Sequence, residues 1–194
     1  MDQNGNVYIF GDIQRDNGYG YGNSVYIIKL NAVGNVIWKK TIGDFFHLSG
    51  NDGDGVLFVD FSGNVYLCGI QSRAWSNDYC VIKISSDGNL NWFKTFGGNL
   101  DNGDQAFGRC VVVDNSGNIF FTGSQEEEGS GKNYGVIKLN SNGNISWQKK
   151  IGGVNNDMGK GITLDSDGNI YLNGAQYSDL FFATIGVIKL DPNG

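Results

Sequence analysis

The sequence predicts an all-β fold of stacked four-stranded antiparallel sheets, and three observations predict it. A ten-residue string occurs four times: DQNGNVYIFG from residue 2, DFSGNVYLCG from 60, DNSGNIFFTG from 114 and DSDGNIYLNG from 165. The apolar letters come in short runs, β-branched or aromatic, bounded by Gly, Asn or Asp and without helical periodicity. Glycine supplies 31 of the 194 residues and proline one, which excludes collagen-like and proline-rich chains and leaves a turn-rich one.

Four strand candidates recur in fixed order. The first is AFGRCVVVD (106–114), with counterparts DGDGVLFVD (52–60) and DMGKGITLD (157–165). The second is the repeated string, as in NVYLCG (64–69). The third reads VYIIKL (25–30), YCVIKI (79–84), YGVIKL (134–139) and IGVIKL (185–190). The fourth reads VIWKKTIG (36–43), LNWFKTFGG (90–98) and ISWQKKIGG (145–153). Asp60, Asp114 and Asp165, which close the first strand, lie 54 and 51 residues apart. Tight turns, D-x-x-G-N or runs such as SSDGN (85–89), join first to second and third to fourth strands. Glycine there supplies the positive φ that a bulged hairpin turn needs.

A single four-stranded meander cannot bury both of its faces, so consecutive units must stack. Repeats of this length with radial closure, which protects strand edges, make a β-propeller. Counting strands gives 14, or about three and a half blades, belonging to a larger ring or one completed by another chain. The expected blades are 1–43 (without an inner strand), 44–98, 99–153 and 154–194 (without an outer strand), all in one domain. Trp38, Trp92 and Trp147 sit at one position of the fourth strand, where an indole fills the space against the next blade.

The pattern D-x-x-GN-[VI]-[YF]-x-x-G, VIK-[LI], G-N-x-x-W-x-K resembles the repeat of the bacterial seven-bladed β-propeller family, over essentially the whole chain. Gly34, Gly88 and Gly143, each four residues before a tryptophan, add a looser resemblance to quinoprotein-like propellers. The first resemblance implies a non-catalytic scaffold or protein-recognition module at the cell surface or outside the cell. The second implies a quinone-dependent dehydrogenase, against which stand the small number of blades and the lack of a neighbouring cysteine pair.

The formal charge of −6 disfavours a phosphate-backbone footprint, hence no nucleic-acid partner. No long apolar stretch is present, hence no membrane insertion. Three cysteines make no disulfide framework; Cys68 and Cys80 are left open as bonded or free. His47 is the single histidine, so His-based zinc clusters are excluded, and no G-x-S-x-G, P-loop or C-x-x-C occurs. The sequence is therefore expected to encode no enzyme, to need no cofactor and to bind no metal. The DSDGN turn at 165–169 lacks the acidic residue a calcium loop needs at 176, and the EEE run at 126–128 reads as solvated surface.

Both tight turns of each unit fall on one face, and the variable connections on the other. If a ligand or partner binds there, Tyr19, Tyr21, Trp75, Tyr177, Phe181 and Phe182 are the anchors. Phe45 and Phe46 tuck under a loop between units. Arg109 and Lys160, at matching places on first strands, are candidates for an anion contact in the channel. The expected partner is a protein or another copy of the chain, with a lectin-like role on glycans as the alternative.

Overall fold

In the computed structural model of the chain, the described residues are 1–16, 21–43, 46–47, 56–72, 77–97, 106–127, 130–153, 155–177 and 183–194. They form four antiparallel sheets resembling propeller blades. Sheet one holds β1 (Val7–Asp16), β2 (Tyr21–Leu30) and β3 (Val36–Ile42). Sheet two holds β4 (Phe46–His47), β5 (Val56–Val59), β6 (Val65–Ser72), β7 (Asn77–Ile84) and β8 (Leu90–Phe96). Sheet three holds β9 (Ala106–Val113), β10 (Ile119–Glu127), β11 (Ser130–Leu139) and β12 (Ile145–Ile151). Sheet four holds β13 (Met158–Leu164), β14 (Ile170–Tyr177) and β15 (Ala183–Leu190).

The repeated string is explained by its turn. The Asp60 carboxylate accepts from the Asn64 backbone N–H at 2.9 Å, from the Asn64 side-chain amide at 2.9 Å and from the Tyr66 hydroxyl at 3.1 Å. Gly63, at φ +77°, closes the loop by donating to the Asp60 carbonyl. Asp2 and Asp165 repeat the full arrangement with Tyr8 and Tyr171. Asp114 keeps the asparagine bonds, but Phe120 stands where the tyrosine would be.

Packing has three centres, one per seam between sheets. Val25 and Ile27 meet Val65, Leu67, Cys80 and Ile82 across the first seam. Tyr79 and Val81 meet Val111, Phe121 and Ile137 across the second. Phe120 and Val136 meet Ile162, Ile170 and Leu172 across the third. Sheets two and three are covered on both faces, so alternate residues of β7 serve opposite seams. Each first strand packs against the first two strands of the preceding sheet: β9 against β5 and β6, and β13 against β9 and β10.

At the outer end of each seam the indole rests on the next sheet's turn glycine. A Cβ on Gly88, Gly143 or Gly194 would stand 3.0–3.1 Å from Trp38, Trp92 or Trp147 respectively. The lysine opposite each tryptophan reaches the same turn: Lys29 Nζ donates to Ser86 O at 3.1 Å and Lys138 Nζ to Pro192 O at 3.1 Å. No helix among the described residues is long and apolar enough to cross a membrane.

The cysteine question is resolved by register. Cys68 faces Val81 and Cys80 faces Gly69, one residue out of step, and the two thiols belong to different seams. Both are free and buried.

Candidate functional site

Arg109 and Lys160 share a backbone irregularity that the sequence did not reveal. On β9, Gly108 pairs with Gly123 and Cys110 with Thr122, leaving Arg109 as the extra residue of a bulge. On β13, Gly159 pairs with Gly174 and Gly161 with Asn173, leaving Lys160 in the same position. Bulges re-aim a side chain, and here two cations are re-aimed at one level of neighbouring first strands. Arg109 is half-buried and Lys160 exposed.

The glycine before each cation is required by close approach. A Cβ on Gly108 would lie 2.6 Å from the Gly69 carbonyl oxygen, and one on Gly159 would lie 2.9 Å from that of Gly123. Each first strand is thus pressed against the middle strand of the preceding sheet where its bulge begins.

Sheet two solves the same edge differently. Its first strand is two pieces, β4 and β5, both pairing with β6, and residues 48–55 between them lie outside the described residues. Phe46, read from the sequence as part of a loop, is in β4. Register places His47 opposite Ile70, the level that Phe107 holds on β9 opposite Ser124. The sole histidine therefore stands on the same edge as Arg109 and Lys160. A two-residue strand leaves no sequence signal, which is why this placement was missed.

Near the start of β13 a buried carboxylate fixes the backbone. Asp157, 4% exposed, accepts from the N–H of Gly153 and of Tyr177, both at 3.1 Å. It ties the connection between sheets three and four to the end of β14. Burial, with the Asp157 carboxylate nearby, raises the Tyr134 phenol above its usual pKa.

Of the aromatics expected on the variable face, Tyr177 ends β14 half-buried, with its backbone held by Asp157. Tyr21 begins β2, paired with Asp16, and its side chain lies outside the described residues. Tyr19, Trp75, Phe181 and Phe182 also lie outside them, as does Phe45. The carboxylate of Asp165 is occupied by its own turn.

No protein-family model matches the sequence, and no characterised protein matches it. Solved structures do share the fold. A polysaccharide lyase of the PL25 ulvan lyase family superposes with a TM-score of 0.63 at 11% identity, covering 99% of this chain and 54% of its own. A mannose phosphorylase from Leishmania mexicana gives 0.52 at 11% identity, covering 99% and 66%. An endo-arabinase from Bacteroides thetaiotaomicron gives 0.51 at 11%, covering 96% and 71%. The chain spans about half the length of the ulvan lyase.

These findings correct several expectations. The assignment to the seven-bladed repeat family, with its quinoprotein-like variant, is not upheld: the similar structures are carbohydrate-acting enzymes of other kinds. The physical reason is that D-x-x-G-N and the tryptophan after glycine are demanded by turn and seam geometry. They report a blade and not a family. The expectations of no enzyme, a non-catalytic scaffold, and a protein or second copy as partner are overturned by the same comparisons, in which the similar structures are a lyase, a phosphorylase and an endo-arabinase. Sites assembled from several sheets leave no contiguous motif, so missing motifs were poor grounds for excluding catalysis.

Proposed function

We propose that the chain forms the propeller portion of a carbohydrate-active enzyme that engages an anionic polysaccharide where the first strands of the sheets converge. The observation that carries this reading is the pair of equivalent bulges at Arg109 and Lys160. A guanidinium binds a sugar carboxylate or sulfate through two parallel N–H donors, and an ammonium adds a point charge beside it. Neutralising a uronate in this way acidifies the adjacent C–H, which suits an eliminating lyase. A hydrolase would need a pair of carboxylates flanking the bond. Asp157, which with Asp78 is one of two buried aspartates at this end among the described residues, is already committed to two backbone N–H groups.

In this reading the four sheets are consecutive blades of a larger ring, divided near residues 43, 98 and 153. Ile185 and Val187 of β15 are 86% and 72% exposed, at places where Tyr134 and Val136 of β11 are covered by the next sheet. The aromatics Tyr19, Tyr21, Trp75, Tyr177, Phe181 and Phe182 would stack on sugar rings at the variable face. An extracellular or cell-surface location fits such a substrate.

The test is turnover of a panel of uronate, sulfated and neutral polysaccharides, followed by absorbance of unsaturated product and by new reducing ends. Turnover of acidic substrates only is expected, with R109Q and K160Q each lowering kcat/KM by about tenfold or more. Failure to bind or cleave any acidic polysaccharide would reject the reading.

A further inference from the structure

We propose a second glycan-binding surface on the outer circumference: the seam grooves beneath the tryptophan strands, which take the anionic groups of a polysaccharide chain. The proposal rests on the anionic-glycan reading for its ligand, and on none of the residues assigned to the channel.

The charge of the molecule is segregated. The chain is acidic overall, at −6, yet β3, β8 and β12 carry Lys39, Lys40, Lys94, Lys149 and Lys150 and no Asp or Glu. Lysines on edge strands also serve to block edge-to-edge pairing, which explains their presence without any ligand. Edge protection makes no demand on position, however, and here position is kept. Lys40, Lys94 and Lys149 each stand two residues after the strand's tryptophan, on the tryptophan's face of the strand.

That face looks into the seam. Between sheets one and two a groove of about 220 Å³ is lined by Lys40, Thr41 and Ile42 on one wall and by Ile84, Gly88 and Leu90 on the other. Gly43 completes the lining, and no carboxylate contributes to it among the described residues. Leu90 is 56% exposed, so an apolar ledge lies beside the ammonium. In the next seam the equivalent Lys94 lies along Gly143 and donates to Asn144 Oδ1 at 3.0 Å, so the lysine at this position reaches the neighbouring sheet's turn. An ammonium beside an apolar ledge suits a sugar bearing a carboxylate or sulfate. Such positions on successive sheets suit a polymer better than a single residue.

The experiment is native affinity electrophoresis of the whole chain through gels holding polygalacturonate, dextran sulfate or neutral dextran. Retardation by one or both polyanions but not by dextran is expected, and the two gels separate carboxylate from sulfate recognition. K40Q/K149Q should weaken retention about fivefold, and K39Q/K150Q, with the same loss of charge, by less than about twofold. Equal weakening by both pairs overturns the grooves in favour of diffuse charge. No weakening by K40Q/K149Q overturns them as well. R109Q/K160Q should lose turnover and keep retention; if retention disappears with it, the grooves bind nothing. Wild-type turnover of an acidic polysaccharide without retention would overturn the grooves and leave the channel reading intact. Absence of both turnover and retention would reject the two together.

Discussion

Tyr79 of the second sheet fills the space that a side chain on Gly135 of the third would need: a Cβ built there meets the Tyr79 hydroxyl oxygen. The same relation joins Tyr134 to Gly186 across the next seam. The Tyr79 ring also meets Phe121 edge-on, with centroids 5.7 Å apart. Gly135→Ala is therefore an overpacking change and should cost about 1–3 kcal/mol. The Tyr79 hydroxyl is buried and has no hydrogen-bond partner among the described residues. Tyr79→Phe should accordingly be neutral or stabilising, and the double variant should recover much of the Gly135→Ala loss. Urea denaturation of the four proteins measures it. A double variant no more stable than Gly135→Ala alone would contradict the contact.

The thiols give a second prediction. Burial raises the pKa of Cys68 and Cys80 well above that of a free thiol, and raises that of the half-buried Cys110 as well. Thiolate is the reactive form, so at pH 8 the native protein should react with a disulfide reagent slowly and at Cys110 first. Denaturant should release all three. Fast reaction of Cys68 in the native state would mean that the second seam opens.

Acid should weaken the turns. The Asp165 carboxyl is lowered by the Asn169 amide, by backbone N–H groups and by the Tyr171 hydroxyl. Asp2 is lowered too, because its bonds to Asn6 and Tyr8 outweigh the opposing effect of burial. A carboxyl lowered on folding stabilises fully above its unfolded value, here about 3.8, and loses that contribution as pH falls through the folded value. The melting temperature should thus fall below about pH 4, and Asp165→Asn should lower it at neutral pH while flattening the acid slope. An unchanged acid slope in Asp165→Asn would show that the turn does not titrate.

Much of the fold was legible because local and seam requirements coincide in the repeated letters. Asp60, Asn64 and Gly63 announce their turn, and the VIK runs alternate between two seams. The residue pair before VIK also carried a message: Tyr79 precedes Cys80 and Tyr134 precedes Gly135, a large residue for the next seam beside a small one for the last. The site was less legible. Arg109 and Lys160 looked equivalent from spacing, but a bulge is a property of two strands in register, and only the partners Gly123 and Gly174 reveal it. His47 was hidden for a related reason. A strand of two residues is defined by what it pairs with, not by its own letters.

The last prediction compares two tryptophans in equivalent seams. Trp38 Nε1 donates to Ser86 O at 3.1 Å, the carbonyl that also accepts from Lys29 Nζ. Trp147 rests on Gly194 in the same manner, but its Nε1 is buried with no acceptor among the described residues. Replacement by phenylalanine removes similar ring area in both cases, so the difference between the variants isolates the hydrogen bond. Trp38→Phe should cost about 0.5–1.5 kcal/mol more than Trp147→Phe, because the latter also relieves an unsatisfied donor. Equilibrium unfolding of the two single variants measures the difference. Equal losses would mean that the indole contributes only its area, and that the Ser86 carbonyl is served by Lys29 alone.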